Sequence, residues 1–332
     1  MPVARELARD GVGWFGVATA HEASELRRAG VPGRVLILSP TRGADARRAV
    51  AADADHTVCT DDDVAALRAA RDAVPRAPDG PLRLHLKADT GMARLGLPPA
   101  HARAVADRID AASDLTLEGV CTHLACADDL DDATTDRQLD AFDAFLAELA
   151  RDGVRPRLRH AANSAGTVAH PRAHYDLVRP GLAAFGCCPG ADLNRFLSDF
   201  EPALRLTASV AFVKRIPAGT KVSYGHRWTA PRDTTIATVR IGYADGFPRG
   251  LSNRGEARLA DRTVRVAGTV CMDQTLFDAG DATPQVGDRA VLLGPGGPRA
   301  EAVASLLGTI PYELLTGLGA RVTRRYRLDA PA

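Results

Sequence analysis

The sequence predicts an α/β protein whose first half is organised on a parallel sheet and whose second half is mostly β. Three observations carry that expectation. Apolar runs of strand length alternate with helix-period segments as far as Pro180. Beyond about Ala203 the helical spacing fades, and strand-like stretches are separated by PAG, PRD, NRG and VGD turns. The 332 residues suffice for two domains at roughly 150 residues each. These are placed at 1–195 and 203–332, with CCPGADLNRFLSDFEP as the connecting segment.

In order, PVARELARDG reads as a helix closed by Gly11, and WFGVAT as a buried strand. HEASELRRAG, GADARRAVAA and DDDVAALRAARDAV read as helices that alternate with the strands VLILSP, HTVCT and LRLHLKADT. A helix over 98–112, the strand LTLEGVCTHLA, a helix over 131–152, the strand LRHAANS, a short helix and the strand YDLVRP complete the series. That makes seven strands, with a helix and no strand before the first. A (β/α)8 barrel is one strand short on this count. A doubly wound sheet also gathers its chemistry at strand carboxyl ends, where Lys87, Asp89, His123, His160, Asn163, Ser164 and Arg179 fall.

Composition narrows the function classes. The 42 basic and 41 acidic residues are interspersed and leave a net charge of +1, so no overall field recruits nucleic acid or anionic lipid. The expected partner is a small molecule. No apolar run approaches the ~20 residues of a membrane span, and Met1 opens onto the polar PVARELARD, so a cytoplasmic address is expected. The six cysteines form no CxxC pair and read as reduced thiols. Neither Cys121-x-His123-x-x-Cys126 nor the His170/His174 pair supplies a ligand set, so no metal is expected. GPGGP at 294–298 lacks the lysine and hydroxyl residue of a phosphate loop and reads as a surface turn. Lysine occurs only at Lys87, Lys214 and Lys221.

Taken alone, several residues admit two readings. Ser164, entering a helix, is an N-cap or a phosphate contact. Arg179 is half of an ion pair or a donor at a barrel mouth, and His123 is a hydrogen-bonded core histidine or part of a proton relay. Tyr312 is a packed aromatic or a ligand, and Lys87 either pairs with Asp89 or faces Arg94.

HLKADTGMARLGL, GVCTHLACAD, HAANSAG, LVRPGLAAFG, KVSYGHRW, IGYADGFPR, GTVCMDQ, and IPYELL followed by RVTRRY stand in the order and spacing of bacterial alanine racemases. From about Val3 to Tyr326 the chain resembles that family. The resemblance implies a homodimer dependent on pyridoxal 5′-phosphate (PLP), with a (β/α)8 TIM-type barrel, here missing its first strand, followed by a mostly β C-terminal domain. It implies interconversion of L- and D-alanine, which supplies D-alanine for peptidoglycan. Racemisation requires removal of a weakly acidic Cα proton and its return to the opposite face, so two bases and an electron sink are needed.

The resemblance assigns the parts. Ser164, with Asn163, Gly181, Leu182 and Tyr312, surrounds the PLP phosphate. Arg179 donates to the pyridine nitrogen, with His160 among the cofactor-binding residues. Tyr224 of the opposite subunit is one base, linked through His123 to Arg179. Arg94 binds the substrate carboxylate, steered by Lys87, whose family counterpart is often carbamylated. Met272 of the partner subunit contacts substrate, and Tyr243, Arg249 and Arg324 border the access corridor.

One departure stands out. The family's Schiff-base lysine, the base on the D-alanine face, belongs at the end of the first barrel strand, a few residues before Met1, and none of the three lysines replaces it. The expectation is therefore a racemase whose natural start lies upstream, the chain as written being inactive. The alternatives are a catalytically dead PLP binder or dimer partner, and a racemase of broader amino-acid specificity.

Overall fold

The computed structural model describes residues 1–327. The chain divides by its contacts at Pro180, with Gly181–Arg325 forming the second unit. In the first unit, β1 (Trp14–Val17), β2 (Arg34–Ile37), β3 (Asp55–Val58), β4 (Leu82–Lys87), β5 (Leu115–Cys121) and β6 (Leu158–His160) pair in sequence order, every neighbour parallel. Helices Ala20–Arg28, Gly43–Ala51, Asp61–Asp72, Pro99–Asp110 and Thr134–Arg151 make the crossovers. The result is a TIM-type partial barrel of six strands, with β1 and β6 at its edges.

Local chemistry sets these boundaries. Thr19 with Glu22, and Thr60 with Asp63, form reciprocal capping boxes that satisfy orphan N–H groups at two helix starts. Pro99 stands at a first helical turn, where its missing N–H costs nothing. All four residues of β3 are buried, as parallel strands covered on both faces require. Leu139, Phe142, Phe145 and Leu149 form one buried stripe of the helix Thr134–Arg151.

The expected seventh strand, YDLVRP, is not a strand. Asp176 N–H donates to Arg159 O and Arg179 N–H to Ala162 O, both at 3.0 Å, so the segment follows β6 with ladder-like bonds. Regularity fails because Tyr175 is forced to φ 44° and Pro180 has no N–H to donate.

In the second unit, β7 (Leu206–Ile216), β10 (Thr234–Val239), β11 (Glu256–Leu259), β12 (Arg262–Val266), β13 (Thr275–Gly280) and β14 (Arg289–Leu293) close an antiparallel barrel, while β8 (Lys221–Val222) pairs with β9 (Trp228–Thr229). KVSYGHRW, expected as one strand, is thus two short strands broken by a 3₁₀ turn at Tyr224–His226. Phe247, Phe277, Val239, Leu259 and Leu292 fill the barrel core. The segment expected as a linker buries Cys187, Cys188, Leu193 and Leu197. It is anchored by Cys188 N–H, which donates to Glu301 Oε1 at 2.7 Å. Among the described residues, no helix is long and apolar enough to cross a membrane.

His56, in the middle of β3, is 3% exposed, and its Nδ1 has no hydrogen-bond partner among the described residues. Burial lowers its pKa from 6.5 to about 4. The unfolded chain therefore takes up a proton near pH 6.5 that the folded chain refuses; this stability is complete above that pH and is lost as pH falls towards 4. His123 and His160 are depressed in the same way, so urea unfolding should lose stability between pH 7 and pH 5 through all three, and His56→Leu should make that loss smaller by about 2 kcal/mol. An unchanged loss in the variant would assign the acid sensitivity elsewhere.

Candidate active site

The carboxyl ends of β4, β5 and β6 bring three groups of side chains together in the first unit. Lys87 closes β4 and is only 7% exposed. The following DTGMARLG loop turns back on the strand. Asp89 N–H donates to Leu97 O at 2.8 Å, and Gly96, at φ 107°, lies so close that a Cβ there would stand 2.8 Å from the Lys87 carbonyl oxygen. The return brings exposed Arg94 within electrostatic reach of Lys87. Asp89 does not pair with the lysine. Its Oδ1 accepts from Gly91 N–H and Ala93 N–H at 3.0 and 3.1 Å.

His123 follows β5 on a loop held by Gln138, which is 1% exposed. Gln138 Nε2 donates to His123 O at 2.9 Å, and its Oε1 accepts from Ala125 N–H at 2.8 Å. Burial, then the charges of Arg179, Lys87 and Arg94, lower the His123 pKa to about 3, so its imidazole is neutral. Burial, with Arg179 and Arg94 adding to it, also lowers that of Lys87.

Arg179 is fixed by protein alone. Its Nη2 donates to Thr122 O and Ala161 O, both at 2.9 Å, and its Nη1 donates to His160 Nδ1 at 2.5 Å. Since guanidinium only donates, His160 Nδ1 must be bare and Nε2 must carry the proton. That proton is donated to His85 Nδ1 at 2.9 Å, leaving His85 Nε2–H to face Asp55 Oδ2 at 3.4 Å. One tautomer of each histidine satisfies the whole chain. Burial, with Arg179 and His85, drives the His160 pKa far down and keeps that ring neutral. Burial raises the pKa of Asp55, but bonds from His85, Arg34 and Arg83 outweigh it and hold the carboxyl at about 2. His85 and His160 sit on β4 and β6, with β5 between them. They meet over Gly119, where a Cβ would stand 2.2 Å from His85 Nδ1.

Asn163 caps the helix Ser164–Ala169: its Oδ1 accepts from Gly166 N–H at 2.9 Å and its Nδ2 donates to Leu124 O at 3.2 Å. Its amide is therefore engaged in shaping the turn that carries buried Ser164. Among the described residues, no group of three or more His, Cys, Asp or Glu is arranged to hold a metal. His170 and His174 instead face the carbonyls of Ala127 and Thr167.

In the second unit, Tyr224, Met272 and Tyr243 gather around one segment. Tyr243 N–H donates to Cys271 O at 3.1 Å and Ala244 N–H to Met272 O at 2.9 Å. Gly242 permits this, since a Cβ would stand 2.3 Å from Cys271 O. Tyr224 is 74% exposed and Met272 56%. Tyr312 lies on the helix Pro311–Thr316, Arg249 on a 3₁₀ turn, and Arg324 donates to Leu318 O at 3.0 Å. Gly181 and Leu182 open the unit, where Leu182 O accepts from Phe185 N–H at 3.0 Å.

Sequence reading missed Asp55, His85, Gly119 and Gln138. The histidine in LRLHLK and the glycine in LTLEGVC, polar and small interruptions of apolar strands, are the available signals.

A parallel β/α partial barrel followed by a closed antiparallel barrel, with a cationic strand mouth in the first, matches one enzyme family along nearly the whole chain. The family model described as alanine racemase, N-terminal domain, matches residues 1–189, and that of the C-terminal domain matches residues 203–326. Alanine racemases of Frankia casuarinae and Thermobifida fusca are each 41% identical over 98% of this chain and 86–87% of their own. The crystal structure of alanine racemase from D-cycloserine-producing Streptomyces lavendulae superposes with a TM-score of 0.91 at 41% identity, covering 99% of this chain and 87% of that one. The Bacillus anthracis alanine racemase with bound L-Ala-P gives 0.86 at 32%, covering 97% and 83%. The chain belongs to the alanine racemase family of enzymes.

Gly119→Ala should break the histidine chain, since nothing but hydrogen fits beneath His85 Nδ1. A stability loss of about 1–3 kcal/mol is expected from overpacking. Side-chain 15N shifts of His85 and His160 should depart from their single-tautomer values. Wild-type shifts in a folded Gly119→Ala protein would refute the path over Gly119.

Proposed function

We propose that the protein is an alanine racemase working through PLP-assisted two-base Cα proton transfer, as a homodimer, and supplying D-alanine for peptidoglycan. The observation that carries this reading is the unbalanced cationic mouth of the first unit, where Arg179, Lys87 and Arg94 surround a neutral His123. Such a mouth suits an anionic cofactor and an amino-acid carboxylate.

The donor set fits PLP. Of the five guanidinium N–H groups of Arg179, three are engaged by protein, leaving Nε–H and one Nη1–H for a pyridine nitrogen. Ser164, with backbone of Gly181 and Leu182 and the Tyr312 hydroxyl, would hold the phosphate, on a turn shaped by Asn163. When bound, PLP supplies the electron sink that acidifies the Cα–H. Arg94 then receives the substrate carboxylate, a bidentate match for guanidinium. Lys87, desolvated beside two cations, is disposed to react as the neutral amine with carbon dioxide, losing a proton and becoming a carbamate that faces Arg94. Tyr224 of the partner subunit would serve the L-alanine face alone, its phenol oxygen accepting the Cα proton from L-alanine or delivering one in the reverse direction, and Met272 of the partner subunit limits the room for the substrate side chain. Tyr243, Arg249 and Arg324 border the approach.

Lys214 and Lys221 are exposed on β7 and β8, and Lys87 is buried beside Arg94 and Arg179, where the proposed carbamate would occupy its amine. None is proposed to attach PLP. Borohydride reduction of this chain with PLP, followed by peptide mapping, should therefore yield no stoichiometric pyridoxyl label on Lys87, Lys214 or Lys221, and such a label would overturn that proposal. A catalytically dead, cofactor-binding homologue shares this outcome.

In a form of the enzyme supplied with the PLP-bearing lysine, Tyr224→Phe should slow solvent exchange of the L-alanine Cα proton by about 10²–10⁴-fold while PLP binding is retained. Proton NMR in D₂O reads the exchange directly. Undiminished exchange removes Tyr224 from the mechanism.

A further inference from the structure

Tyr224 sits on a turn that the chain should resist. Ser223 lies at φ 65°, ψ −177°, a region that side chains other than glycine all but avoid. Gly225 at φ 69° and His226 at φ 48° continue in left-handed backbone. Packing does not reward the turn, since Tyr224 itself is 74% exposed. Something else must hold it, and the adjoining segment Gly268–Met272 does so from both sides.

The hold is reciprocal. Ser223 Oγ donates to Thr269 O at 2.7 Å, and Thr269 Oγ1 donates to Tyr224 O at 2.9 Å. Thr269 is 3% exposed, so its hydroxyl works out of water. Gly268 lets the two segments lie flush, because a Cβ there would stand 2.6 Å from Ser223 Cβ and 2.9 Å from Val222 O. Asn253 closes the far side, with Nδ2 donating to Arg227 O at 2.9 Å and Oδ1 accepting from Gly268 N–H at 2.7 Å. Ser252 Oγ accepts from Val270 N–H at 3.0 Å and steadies the same rail. The rail also bears Met272 and, through the bonds to Cys271 O and Met272 O, fixes the turn of Tyr243.

We propose that Ser223 and Thr269 are positioning residues for Tyr224, their crossed hydroxyl-to-carbonyl bonds holding a strained turn so that an exposed phenol is presented in one fixed direction. A freely turning phenol would be a poor proton carrier, because transfer demands a set distance and angle to the reacting atom. The proposal rests on the reading of Tyr224 as a base.

The chain has five tyrosines, so 13C-tyrosine labelling gives a spectrum of five residues in which Tyr224 is identified by its loss in Tyr224→Phe. Thr269→Val keeps the side-chain shape and removes the donor. In that variant the Tyr224 Cα and Cβ shifts should move and its order parameter should fall from the rigid range, about 0.85, to below about 0.6. Tyr175, Tyr243, Tyr312 and Tyr326 should hold their positions. Thr269→Ser should restore the wild-type signal, and Thr263→Val, at an exposed site on β12, should not disturb it. Ser223→Gly provides a variant that folds without strain, since glycine tolerates the backbone while deleting the other bond; it should loosen Tyr224 as well. An unmoved Tyr224 signal in folded Thr269→Val and in Ser223→Gly overturns the proposal. Should Tyr224 loosen while Cα exchange in the lysine-supplied enzyme stays at the wild-type rate, the positioning role stands and the base assignment falls.

Discussion

The Arg179 guanidinium imposes the constraint around which the first unit is arranged. It cannot give up its charge, it is desolvated, and no carboxylate among the described residues touches it. Two backbone carbonyls and one imidazole nitrogen hold it, and the anion that orients the array is Asp55, two histidines away. Because guanidinium can only donate and the ionised carboxylate can only accept, the two ends dictate a single proton order between them. Neutral histidines convey orientation here without placing a negative charge beside Arg179. A carboxylate in direct contact would leave the guanidinium less electrostatic pull on a ligand.

The same economy appears across the whole sheet. At the amino ends of the strands, Arg34 and Arg83 converge on Asp55, and Arg34 and Arg157 reach Glu118, so the charges there are matched. At the carboxyl ends, Lys87, Arg94 and Arg179 have no ion pair among the described residues. One end of the sheet is electrostatically closed, and the other is left cationic. A net charge of +1 conceals this, because the imbalance lies in placement and not in count.

What the sequence disclosed divides along physical lines. Periodicity revealed the six strands and their crossovers because short segments with clustered or alternating apolar residues, such as VLI in β2 and LRLHL in β4, stand between stretches of helical spacing. It overcounted at YDLVRP, where apolar content reports burial beside β6 but cannot report the left-handed Tyr175 that denies the segment a ladder. It also joined KVSYGHRW into one strand, since the strained turn at Ser223 depends on Thr269, 46 residues away in the chain. Lys87, His123, Ser164 and Arg179 were legible as polar punctuation at strand ends. Asp55, His85 and Gly119 were not, because a buried polar relay is defined by which strands become neighbours. Gly119 acquires its meaning only once β4 and β6 stand on either side of it.

The protonation states limit what each group can do. Burial and surrounding cations hold His123 near a pKa of 3, and His160 also lies far below its ordinary value. With both rings held neutral, neither is suited to carry the proton in the proposed reaction. They can fix direction, one nitrogen donating and the other accepting, but the proton that leaves a substrate must reside elsewhere. Lys87, as the proposed carbamate, has no free amine, and Arg179 does not titrate. Within the proposed mechanism this leaves a phenol as the group of this chain that can accept and return a proton. On that proposed mechanism, the neutrality of the histidines gives an exposed tyrosine on a strained turn its part as proton carrier.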